Sequence, residues 1–157
     1  MLIAHGWAVL QSSRIKYANP NPDEWFILDE ESKKADETLW RNFRLWMKEN
    51  EDPFMVWQLT ERLNNEHGLL QFAVSRNHRG SSLWEMLRWL ANNSDGTYGI
   101  VFVHDDEDIA ENKDYGRGDN DYSNRFRVWR VLKGELLEFD DPFLSPIVPT
   151  ILPNFEA

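Results

Sequence analysis

The stretch SLWEMLRWLANNSDGTYGIVFVH, residues 82–104, decides the fold. Its first half predicts a helix over 82–93: Leu83, Leu87 and Leu90 form a stripe at helical spacing, joined by Trp84 and Met86. Ser82 and Glu85 have the spacing of a capping box, in which each side chain accepts a backbone N–H that the first turn leaves free. Gly96 suits the C-terminal stop. The second half, TYGIVFVH over 97–104, reads as a strand with apolar residues on both faces. An amphipathic helix followed at once by such a strand calls for helix packed on sheet.

The flanking sequence extends that layer. Residues 2–10 alternate, with Ile3, His5, Trp7 and Val9 on one face and Leu2, Ala4, Gly6, Ala8 and Leu10 on the other. Both faces are largely apolar, which predicts a central strand. Residues 11–22 hold Asn19-Pro20-Asn21-Pro22 and read as a loop. A helix is predicted over 32–50, capped by Ser32, with Ala35, Leu39, Phe43, Trp46 and Met47 at helical spacing and Pro53 just past its end. Residues 54–62 and 69–76 read as two strands around Asn64-Asn65 and Gly68, although the first also fits a helix. Residues 124–132 and 135–139 form a hairpin around Lys133-Gly134, with Phe126, Val128 and Leu132 on one face and Trp129 and Val131 on the other. The closing DPFLSPIVPTILP has four prolines, which exclude a helix, and its apolar content predicts an extended segment laid across the body. The result is one α+β domain over 1–157: a mixed, mostly antiparallel sheet of about five to six strands with two main helices, without internal repeats.

Composition narrows the function. A chain of 157 residues buries roughly 70% of its unfolded surface and needs no staple. It has no cysteine, which excludes disulfides, thiolate metal sites and a thiol nucleophile. At 41% hydrophobic residues it is no disordered acidic chain. The apolar start, MLIAHGWAVL, has no preceding positive charge and no cleavage site, and no run is long enough to span a membrane, so a cytoplasmic protein is expected. The net charge of −10 disfavours a nucleic-acid binder, which needs a basic footprint. That charge is uneven: residues 105–123 carry eight acids (Asp105, Asp106, Glu107, Asp108, Glu111, Asp114, Asp119, Asp121) against Lys113 and Arg117. Such a concentration projects a field towards a cationic partner.

Candidate chemistry is sparse. His5 and His104 fall on strands, His67 in a turn and His78 in Arg76-Asn77-His78-Arg79; no pair has the spacing of a helical metal site. His78 and Arg79 suit a phosphodiesterase as base and phosphate clamp, but no second acid–base group accompanies them, and the plainer reading is hydrogen bonding between loops. Asp105-Asp106-Glu107-Asp108 is rich enough in carboxylates for a cation and Asp119-Asn120-Asp121 is similar to part of a calcium loop, yet the EF-hand pattern is not met. A solvated loop and a surface imitating nucleic-acid phosphate both remain open. Any single tryptophan is more often core than interface, but with eight of them some reach the surface.

Motifs from residue 5 to 150 resemble the immunity protein 7 family of bacterial polymorphic toxin systems. They are His5-Gly6-Trp7, Asn77-His78-Arg79, Tyr98-Gly99 leading to the Asp105–Asp108 run, Asn124-Arg125-Phe126-Arg127-Val128-Trp129, and Asp141-Pro142-Phe143-Leu144-Ser145-Pro146 with Pro149-Thr150. The closing motif is the most specific. Residues 19–34 and 109–123 are longer than the family's usual connections, which suits adaptation to one particular toxin.

The resemblance implies a non-enzymatic inhibitor that stays in the producing bacterium's cytoplasm and binds the C-terminal domain of a cognate toxin as a 1:1 heterodimer. No cofactor, metal, nucleic acid or membrane is implied. Many such toxins are nucleases with basic clefts, which an acidic inhibitor would meet with complementary charge. The eight acids of 105–123 are the expected contact region. His5, Gly6, Trp7, Asn77, His78, Arg79 and Trp129 match family motifs and shape either the fold or a shared surface. The alternatives are a small metal-independent RNase using His78 and Arg79, and an acidic nucleic-acid mimic acting on a host protein.

Overall fold

The structure, a computed structural model, describes residues 1–12, 30–63, 67–109 and 120–145. Their elements run β1 (Leu2–Leu10), α1 (Glu30–Glu49), β2 (Met55–Leu63), β3 (His67–Arg76), α2 (Ser82–Asn93), β4 (Tyr98–Asp105), β5 (Phe126–Leu132) and β6 (Glu135–Asp140). The strands form one sheet in the order β2-β3-β1-β4-β5-β6, every pairing antiparallel. This is the expected α+β domain with two helices, and β1 is central as its apolar faces implied. No parallel pair is present among the described strands, so the sheet is antiparallel rather than mixed. The 54–62 stretch, which also fitted a helix, falls on strand β2 apart from Phe54, which precedes it in a turn.

Both helices cover the same face. Leu39, Trp40, Phe43 and Met47 of α1 and Leu83, Trp84, Met86, Leu87 and Leu90 of α2 are buried against Leu2, Leu10, Leu70, Val74, Val101 and Val103 of the sheet. Burial of this many large side chains, at about 1.5–3 kcal/mol each, holds the layers together. Phe43 meets Trp57 edge-on at 5.7 Å and Trp89 at 5.5 Å, and Trp89 lies 6.1 Å from Trp46. The Trp40 indole donates to the Leu10 carbonyl at 2.9 Å, which ties α1 to the end of β1. Gly6 lies in β1 between β3 and β4, where a Cβ would come within 2.7 Å of the Phe72 ring and the Val101 side chain.

Local signals fail where tertiary groups compete with them. Helix α1 begins at Glu30, so Ser32 sits in its first turn, and Ala35 is exposed. The N-cap of α2 is Ser81, which makes no side-chain capping bond. The Ser82 hydroxyl donates instead to Asp52, and the predicted capping box does not form. With the N-cap at Ser81, Ser82 stands one residue inside the helix and out of the box's position, and the Asp52 carboxylate that it meets complements the dipole. Helix α2 ends at an extended Ser94, whose hydroxyl donates to the Gln11 carbonyl; Gly96 is not its cap. His67 opens β3 and is not in a turn. The closing segment from 146 onward and most of the 11–22 loop lie outside the described residues.

Candidate functional site

The C-terminal ends of β3 and β4 and the N-terminal end of β1 lie together at one end of the sheet, because β1 runs antiparallel to both neighbours. This brings Arg76, Asp105 and Leu2 into adjacent register positions. The acidic run leaves β4 there. Glu107 is its anchor: one carboxylate oxygen lies 2.9 Å from His78 Nδ1 and the other accepts the Arg79 backbone N–H at 2.9 Å. The Arg79 bond and the His78 contact hold its carboxyl below the usual range. Thus Asn77-His78-Arg79 and the acidic run, distant in sequence, form one loop-to-loop clamp. The Arg79 guanidinium stacks over the Trp84 ring at 4.5 Å, joining the clamp to the core.

The expected contact residues divide. Asp105 and Asp108 are only 4% and 3% exposed, so they sit behind the surface. Burial pushes the Asp105 carboxyl up, against the opposing pull of the Glu107 N–H, which it accepts at 3.0 Å, and of Arg79. Asp108 ties the run to the chain ahead of β5: its carbonyl accepts the Tyr122 N–H at 2.8 Å. Asp106, paired with the chain's terminal ammonium, and Glu107 remain partly open to solvent. Asp121 is exposed; it accepts the Ser123 hydroxyl and N–H, which keep its carboxyl low. Glu111, Asp114 and Asp119 lie outside the described residues. Among the described residues no three metal-ligating side chains converge.

The family-motif residues divide too. Gly6 and Trp129 serve packing, with Trp129 meeting Trp84 edge-on at 6.2 Å. Asn77 and His78 are exposed beside the acidic run. His5 and Trp7 lie on the sheet face away from the helices, where Trp7 meets Tyr98 edge-on at 6.2 Å. That face also exposes Ile3, Val56, Leu137 and Phe139. Sequence reasoning misses it because apolar residues on both sides of a strand ordinarily signal burial on both sides.

No helix among the described residues is long and apolar enough to cross a membrane. The chain is a one-sided antiparallel α+β domain with an acidic end and an exposed aromatic face. The family model for immunity protein 7 matches residues 1–153, and the chain belongs to that family. Membership implies an immunity protein with a cognate toxin partner. No curated protein and no solved structure matches the chain.

Proposed function

We propose that this protein binds the C-terminal domain of a cognate toxin one-to-one in the cytoplasm of the producing bacterium and neutralises it without catalysis. Its acidic end is set against a basic active-site cleft such as a nuclease needs. The observation that carries this reading is the gathering of carboxylates at one end of the sheet in a chain of net charge −10. Asp106, Glu107 and Asp121 form the accessible part of the contact, with Glu111, Asp114 and Asp119 in the connection between them. Asp105 and Asp108 hold the run in place and add to its field from behind. Reversing an exposed charge weakens such an encounter, whereas reversing a buried one would damage the fold.

The test is growth protection. The toxic domain encoded by the adjacent upstream reading frame is induced in a susceptible cell with and without this protein. Rescue with copurification is expected, and Asp106→Lys with Asp121→Lys should raise the dissociation constant by about tenfold while the fold is kept. Failure of soluble protein to rescue growth or to copurify would overturn the reading.

A further inference from the structure

The strand side chains facing away from the helices are unusual for a chain so acidic. Within the regular ladder the full charges on this face are Arg130 and Glu135, which cancel. The net negative charge of the described residues is therefore carried off this face. What the face exposes instead is apolar and aromatic: Val56 is 69% exposed, and Trp7, Leu137 and Phe139 are each 41% exposed. Depletion of charge with enrichment of aromatics marks the centre of protein interfaces. A groove of about 330 Å³ crosses β2, β3 and β1, where the small Ala73 lies between His5, Val56, Gln58 and Gln71. It has the size to take one partner side chain as an anchor.

The dimensions fit an interface. Six strands about 4.8 Å apart, each about eight residues long at roughly 3.3 Å per residue, span roughly 750 Å², close to the ~800 Å² per partner of a standard interface. Charge selects the occupant. A second copy would bring together two chains that each carry a net charge of −10. A basic protein meets the acidic surroundings favourably, and one carboxylate on it would pair with Arg130, which stacks over Phe139 at 4.8 Å.

We propose that the helix-free face of the sheet is the docking surface for the toxin domain, receiving a patch that is apolar at its centre and basic around it. This rests on the immunity function proposed above and places the interface core on β2, β3, β1 and β4–β6, with the acidic end as its rim.

Because the chain has no cysteine, single reporters can be placed on it. Val56→Cys and Leu137→Cys lie on the open face, and Leu45→Cys on the exposed side of α1 serves as control. Maleimide labelling is timed on the free protein and on the protein saturated with a catalytically inactive form of the upstream-encoded toxin domain. The face cysteines should react fast when free and about tenfold more slowly in the complex, with Leu45→Cys unchanged; Val56→Asp should weaken binding by about tenfold at unchanged thermal stability. A complex that leaves both face cysteines reactive overturns the proposal. So does slow labelling of the free protein: if it speeds on dilution, the occupant is a second copy, and if it does not, the chain covers its own face. Failure of the wild-type protein to form any complex strikes instead at the immunity function itself, and this placement falls with it.

Discussion

The Asp52 carboxylate sits where three parts of the chain meet. It accepts the Ser82 hydroxyl at the start of α2, the Phe54 N–H ahead of β2 at 2.9 Å, and the Arg76 guanidinium at the end of β3 at 3.0 Å. Burial alone would raise its carboxyl, but the Ser82 and Phe54 hydrogen bonds and the Arg76 charge outweigh it and hold the group low. Asp52→Ala should therefore cost about 2 kcal/mol, or roughly 6 °C in Tm, at pH 7. A depressed carboxylate stabilises the fold above its unfolded pKa, and that contribution is lost as pH falls through the folded value. The gap between wild type and Asp52→Ala should be full at neutral pH and close below the ordinary aspartate value of 3.8, as melting curves across pH would show. A gap that persists in acid would mean the loss is packing rather than charge. Residue-scale reading goes astray at this point: Ser82-x-x-Glu85 has the right spacing for a capping box, but two adjacent serines leave the cap position open, and the helix takes Ser81 while Ser82 meets a carboxylate from thirty residues upstream.

Elements were more legible than their caps, because periodicity integrates over many residues. The β5–β6 hairpin was readable from the alternating faces on either side of Lys133-Gly134, and both turn residues take positive φ, 56° and 75°, as a two-residue type I′ turn requires. A Cβ at Gly134 would meet only the Ala91 carbonyl at 3.6 Å, an ordinary contact, so the cost of Gly134→Ala is backbone strain alone. It should lower stability by about 1 kcal/mol, roughly 3 °C in Tm. Lys133→Asn, which tolerates the left-handed region better, should raise Tm by about 1–2 °C. Thermal melts of the two variants, moving in opposite directions, check the turn assignment. Strands β1 and β4 were equally legible as strands with two apolar faces, but the exposure of the second face was not. Val101 and Val103 pack under the helices while Tyr98 stays exposed, and a pattern in one strand cannot say whether a second layer exists.

At the scale of the molecule, the charge map was the part of the candidate site legible in the sequence, since acids in a connecting loop need no folding to be counted. Which of them face water was not, because burial of Asp105 and Asp108 depends on how the run folds back over the sheet end. This division has a kinetic consequence. If the acids act as a field around an apolar contact, they speed encounter far more than they slow release. The Debye length falls from about 10 Å at 0.1 M salt to about 3 Å at 1 M, so charges beyond direct contact stop steering. The association rate with the toxin domain should fall about tenfold across that range while the dissociation rate changes little, since apolar burial on the sheet face is insensitive to screening. Asp106→Lys with Asp121→Lys should lower the association rate at 0.1 M and flatten its dependence on salt. Stopped-flow or surface-immobilised kinetics separates the two rates. An association rate indifferent to salt would mean that the acidic end does not steer the encounter, and a dissociation rate that climbs steeply with salt would make it the principal contact in place of the sheet face.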